Sequence, residues 1–204
     1  MEKKRIERVA FIGNSITKHP AAPDLGWFGE WGMAASAPDR DYVHLMMRRI
    51  CSHYPGAVHQ GAYIAAFERS YWDYDLARLE HLRQFNPDLI IMKIGENVND
   101  AECVQRGFRD YYKRLIAYLN LSSGATVICV NGFWANTYVN EEIRQTALEQ
   151  GFPFVDLSSL HGREEYMAKG RFEHEGVAQH PSDAGMEQIA LLIWSTLASE
   201  YGLD

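Results

Sequence analysis

The chain of 204 residues predicts an α/β fold, a three-layer α/β/α sandwich built around a parallel five-stranded sheet. Three observations lead there. Apolar runs of strand length alternate with stretches of helix length, the order that a parallel sheet with helical crossovers produces. The run Leu89-Ile90-Ile91-Met92-Lys93-Ile94 is too continuous for a half-exposed strand and reads as one buried on both faces. No internal repeat or low-complexity linker interrupts the alternation.

In order, a first strand is expected near 6–12, where Val9-Ala10-Phe11-Ile12 runs into Gly13. A helix follows near 40–53, then a short strand near 57–60 (Ala57-Val58-His59-Gln60) and a helix near 74–85. The central apolar run gives a strand near 88–94, followed by a helix near 101–120. Thr126-Val127-Ile128-Cys129-Val130 gives a strand near 125–131, and a helix near 140–150 and a strand near 153–156 come next. His180-Pro181-Ser182-Asp183 opens a last helix near 183–200. A flavodoxin-like sandwich formed by a single domain, 1–204, accommodates this series.

Composition narrows the function. Apolar residues make up 47% of the chain and charged residues 23%, as in ordinary soluble proteins, and no stretch approaches the ~18 apolar residues of a membrane span. The net charge is −7 with basic residues dispersed, so a nucleic-acid footprint is lacking and a small uncharged partner is expected. Met1-Glu2-Lys3-Lys4-Arg5 is basic but has no apolar h-region behind it, which leads to the expectation of a cytoplasmic protein. Cys51, Cys103 and Cys129 suggest neither a disulfide framework nor a zinc site, and Cys129 reads as a small core residue. His53, His81 and His161 read as surface or structural; neither a metal nor a cofactor is called for, and the oligomeric state is left open.

Three short motifs carry chemistry. Gly13-Asn14-Ser15-Ile16-Thr17 leaves the first strand, Gly95-Glu96-Asn97 leaves the central one, and His180-Pro181 precedes the last helix. The C-terminal edge of such a sheet is where ligands bind. A serine there becomes a nucleophile when a histidine takes its proton. An asparagine at the same edge can aim its side-chain N–H at a developing oxyanion.

In order and spacing these motifs resemble those of the SGNH (GDSL-type) hydrolases, named for a Ser, a Gly, an Asn and a His in separate blocks. Gly13-Asn14-Ser15 stands where the family usually has Gly-Asp-Ser, Gly95-Glu96-Asn97-Val98 where it often has Gly-x-Asn-Asp, and His180-Pro181 in the last block. The resemblance implies the flavodoxin-like fold and a serine esterase: Ser15 as nucleophile, His180 as base, and an oxyanion hole made by the N–H of Ser15, a second backbone N–H and the side chain of Asn97.

Two departures bear on that reading. The family usually has Asp three residues before the His, where this chain has Val177. The imidazole then needs another acceptor: a main-chain carbonyl in residues 174–178, or a displaced triad acid, Glu175 or Glu173. Asp183 is expected to cap the last helix or favour its positive end. The glycine of the second block is also absent from its place, so the second backbone donor is Gly61 by residue type or Ala65 or Ala66 by spacing. Glu96 reads as a loop anchor or a contact of His180, and Glu68 as a residue tying down a loop.

The segment from Lys18 to Asp39, with no clear helix or strand, carries Trp27, Phe28 and Trp31 among prolines and glycines. Trp27 and Trp31 wall a substrate pocket or fill a satellite core; Trp134, after the fourth strand, is a further pocket candidate. These aromatics and the acidic surface favour a short-acyl ester, such as an acetylated carbohydrate. Two other readings compete: a non-catalytic carbohydrate-binding relative, and a phosphate or nucleotide binder using residues 13–17 at a helix N-terminus.

Overall fold

A computed structural model describes residues 5–121 and 124–203; the basic stretch Met1 to Lys4 lies outside them. Five parallel strands, β1 (Arg8–Gly13), β2 (Val58–Tyr63), β3 (Leu89–Lys93), β4 (Thr126–Val130) and β5 (Phe154–Val155), form one sheet in the order β2-β1-β3-β4-β5. This is the flavodoxin-like order, with the first strand and its successor diverging from the middle of the sheet. Phe11 of β1 lies opposite Gly61 on one side and Ile91 on the other, and Ile91 lies opposite Ile128.

Because successive side chains in a strand point to opposite faces, the apolar strands feed two cores. Val9, Phe11, Leu89, Ile91, Ile128 and Val130 pack on one face with α1 (Tyr42–His53) and α8 (Asp183–Tyr201). Ala10, Ile12, Ile90, Met92, Val127 and Cys129 pack on the other with α3 (Glu80–Phe85), α5 (Phe108–Leu119) and α6 (Thr137–Gln150). α1 buries Tyr42, Val43, Met46, Met47 and Ile50, the stripe expected of a helix covering a sheet, and its Asp41 cap accepts from the N–H of His44.

Where the structure departs from the expected elements, local chemistry explains it. The helix expected near 101–120 is two, α4 (Asp100–Arg106) and α5, because Gly107 sits at φ 63° and ends α4 with a left-handed cap. The stretch 74–85 is a 3-10 turn, Leu76–Leu79, capped by Asp75 and running into α3. Two short helices, α2 (Ala65–Arg69) and α7 (Glu175–Ala178), fall in segments too brief to show a helical period. α6 starts at Thr137, three residues before the expected helix, because Asn136 caps it. Cys103 and Cys129 are buried free thiols. Among the described residues no helix is long and apolar enough to cross a membrane.

Candidate active site

The strand ends Gly13 and Lys93 lie side by side, so whatever follows β1 and β3 meets at the C-terminal edge of the sheet. Gly13 is needed there for close approach: a Cβ on it would fall 1.7 Å from Thr17 Oγ1 and 2.9 Å from the carbonyl oxygen of Lys93. Residues 14–17 then form a turn, closed by the N–H groups of Thr17 and Lys18 donating to the Asn14 carbonyl, each at 3.0 Å. No helix opens on this turn, since α1 starts only at Tyr42, which removes the dipole on which the phosphate-binding reading relied.

That turn presents Ser15. Its Oγ lies 2.7 Å from Nε2 of His180, although the two residues are 165 positions apart in sequence. His180 sits between α7 and α8, where the Ala168 N–H donates to its carbonyl at 2.9 Å and its own N–H donates to the carbonyl of Val177 at 3.0 Å. Its Nδ1 lies 2.7 Å from the carbonyl oxygen of Gly176. A carbonyl can only accept, so Nδ1 carries the proton and the lone pair of Nε2 faces the serine hydroxyl. Trp134 stands edge-on to the imidazole, with ring centroids 5.1 Å apart and planes at 85°, and its Nε1–H donates to the carbonyl of Gln179. Burial pulls the His180 pKa down to about 4, a shift that the hydrogen bond to Gly176 opposes.

Neither Glu173 nor Glu175 occupies the acceptor position at Nδ1. A carboxylate on either would have to displace the Gly176 carbonyl, which the turn of α7 already places there, and Glu175 instead accepts from Gln179 Nε2 at 3.4 Å. Ser182 caps α8, and Asp183 lies in its first turn, at the positive end of the helix. The Asp183 carboxylate accepts from Ser36 N–H at 2.8 Å and Ser36 Oγ–H at 2.6 Å, pinning the segment Lys18–Asp39 to the start of α8.

Asn97 leaves β3 through Gly95, whose φ of 132° is a backbone state reserved for glycine. Its amide is held at both ends: Nδ2 donates to Glu68 Oε2 at 2.7 Å, and Oδ1 accepts from Arg69 at 3.2 Å. One Nδ2 hydrogen is left for another acceptor. Gly61 is not at this edge, because it lies inside β2 opposite Phe11, two residues before the strand ends. The Ile64 N–H, which follows the strand, donates to the Gly13 carbonyl at 2.7 Å. The next two N–H groups, of Ala65 and Ala66, open α2 and are not used by its ladder.

Trp27 does not wall a pocket. It is 3% exposed and packs with Met33, Ala34, Ala168 and Val177 in a third, small core, because the bridge between Ala22 and Trp27 folds the segment back on itself. Trp31 stacks edge-on against it at 5.4 Å and donates to the carbonyl of Ala35. Trp134 is the tryptophan whose ring is set against His180. A depression of about 580 Å³, unsuspected from the sequence, opens at Ala66 between Lys18, Tyr63, Tyr74 and Arg78.

Residues 11–188 match the model of the GDSL-like lipase/acylhydrolase family. Among solved structures, a two-domain esterase (CEX) active on acetylated mannans, co-crystallised with mannopentaose, superposes with a TM-score of 0.62 at 21% identity over 96% of this chain. This chain spans 50% of that one. A mutant of Axe2, an acetyl-xylooligosaccharide esterase from Geobacillus Stearmophilus, gives 0.51 at 19% identity, over 100% of this chain and 98% of that one. The psychrotrophic esterase EstA from Pseudoalteromonas sp. gives 0.56 at 10% identity, over 95% and 97%. These likenesses show a shared fold. None of the curated proteins matches the chain.

Proposed function

The chain belongs to the GDSL-like lipase/acylhydrolase family, as an esterase of the SGNH type, and from that premise we propose that it hydrolyses small esters through an acyl-enzyme formed on Ser15. The observation that carries this is the 2.7 Å contact between Ser15 Oγ and His180 Nε2, in the tautomer that leaves Nε2 able to accept a proton. In this reading residues 1–204 act as one hydrolase domain.

His180 takes the Ser15 proton as Oγ attacks the ester carbonyl carbon. The oxyanion that forms accepts from the free Nδ2 hydrogen of Asn97, the backbone N–H of Ser15 and that of Ala65 or Ala66. As the C–O bond to the alcohol breaks, the imidazolium gives its proton to the departing alkoxide. A water molecule, deprotonated in turn by His180, then attacks the acyl carbon; the bond to Ser15 Oγ breaks, the imidazolium returns its proton to Oγ, and the acid is released. The Gly176 carbonyl holds the ring through both halves of the cycle.

The acyl group in this reading is short and the alcohol a carbohydrate. Tyr63 and Tyr74, which line the depression beside Ala66 together with Lys18 and Arg78, offer stacking faces and hydrogen-bond donors to a polyol. Two neighbours of the same fold act on acetylated mannans and acetyl-xylooligosaccharides. The test is hydrolysis of p-nitrophenyl esters of increasing acyl length beside acetylated xylo- and manno-oligosaccharides. Acetyl esters should be turned over fastest and the oligosaccharides deacetylated; a preference for long acyl chains would contradict the substrate reading.

A further inference from the structure

Behind the catalytic edge lies a polar cluster in an otherwise apolar interior: Asn14, Glu68 and Lys93 are each 0% exposed, and the Glu96 side chain is 1% exposed. Buried carboxylates are costly unless every lone pair finds a donor, so the partners of these two define what the cluster does. Glu96 is paired with Lys93, accepts from the Phe133 N–H at 2.9 Å on Oε1, and accepts from Asn14 Nδ2 at 2.6 Å on Oε2. Glu68 accepts on Oε1 from Asn14 Nδ2 at 3.0 Å and from the Gly95 N–H at 2.5 Å, and on Oε2 from Asn97 Nδ2 at 2.7 Å.

Asn14 precedes the nucleophile, and Asn97 is the side chain assigned to the oxyanion. We propose that Glu68 is a positioning residue for the esterase reaction, fixing the Ser15 turn relative to the Asn97 amide by holding Asn14 on one oxygen and Asn97 on the other. The arrangement is directional. A guanidinium donates and never accepts, so Arg69 holds the Asn97 oxygen outward and the NH2 end turns inward to Glu68; the second Nδ2 hydrogen is then fixed in direction without a rotamer search. The amide at Asn14 has a matching logic, giving one hydrogen to each of two carboxylates while its Oδ1 accepts from the Ile16 N–H at 3.1 Å. The side chain thus ties both carboxylates to the turn that presents Ser15.

This rests on the reading of Asn97 as an oxyanion donor, and a double-mutant cycle separates the two. Glu68→Gln puts an NH2 group where three donors converge. It should lower kcat on p-nitrophenyl acetate at least tenfold, with KM changed less than threefold, in the wild-type background and several-fold less in Asn97→Ala, where only its hold on Asn14 remains to be lost. Equal losses in both backgrounds would overturn the proposal, as would no loss in either. Should Asn97→Ala itself leave kcat untouched, the oxyanion reading falls and the positioning role with it. Glu68→Asp keeps the charge but withdraws it by one methylene, and the same cycle with that variant decides the matter if Glu68→Gln does not fold.

Discussion

The Nδ1–H of His180 donates to the carbonyl oxygen of Gly176 at 2.7 Å, four residues back along the chain. A main-chain carbonyl therefore does at this position what a carboxylate does in a Ser-His-Asp arrangement: it selects the tautomer and aims the ring. Replacing Glu173 or Glu175 by Gln should each cost less than about tenfold in kcat/KM on an activated ester. A loss near the ~10⁴ that follows neutralising a triad acid would place a carboxylate in the relay instead.

Asn97→Ala should lower kcat about 10²–10³-fold while KM stays nearly constant, the signature of an interaction made in the transition state. Steady-state kinetics on p-nitrophenyl acetate reads both constants. A change confined to KM would mean that the amide binds ground-state substrate.

How far the sequence alone leads differs between fold and site. The sheet was legible because runs such as Leu89 to Ile94 and Thr126 to Val130 are apolar at every position, a pattern that burial on both faces imposes. The helix break at Gly107 was not, since an isolated glycine inside a helical pattern is tolerated and does not by itself mark an end. At the site, Ser15, Asn97 and His180 stand out because each follows a strand or precedes a helix. Residue type pointed to Gly61 and spacing to Ala65 or Ala66, and the length of β2 separates them: the strand runs on to Tyr63 and carries the glycine into the sheet. The partners of Glu68 were out of reach, because hydrogen bonds spanning 27 to 54 positions leave no local trace. Trp27 and Trp134 have the same composition signal and opposite fates, decided by which loop folds back on itself.

The rate should fall with acid near pH 4. Only neutral His180 can take the Ser15 proton, and its pKa is pulled down to about 4, so kcat/KM should hold level well below the ordinary histidine value of about 6.5 and drop through about 4. Stability follows the same group: between these values the unfolded chain binds the proton and the folded one resists it, so stability declines as pH falls through that window. Trp134→Ala opens the imidazole to water and should move the acid limb upward, toward 6.5. A pH–rate profile of both proteins checks this; an unmoved limb would assign the shift to other neighbours.

Asn14→Asp should destabilise the fold by more than about 3 kcal/mol, the scale of an uncompensated charge in a buried site, because a third carboxylate would face Glu68 and Glu96 with no hydrogen to give. Urea unfolding measures it. Adding Glu68→Gln should recover part of the loss by removing one of the facing charges, whereas strictly additive losses would mean that the two side chains do not share these hydrogen bonds.

An acyl group carried on Ser15 is read by mass spectrometry of the protein quenched with acid during turnover of p-nitrophenyl acetate. One added acetyl group is the expected result, on the peptide containing Ser15, absent from Ser15→Ala and accumulating in proportion to a burst of nitrophenol. Wild-type turnover by Ser15→Ala, or an acetyl group found on another residue while Ser15 stays free, would contradict it.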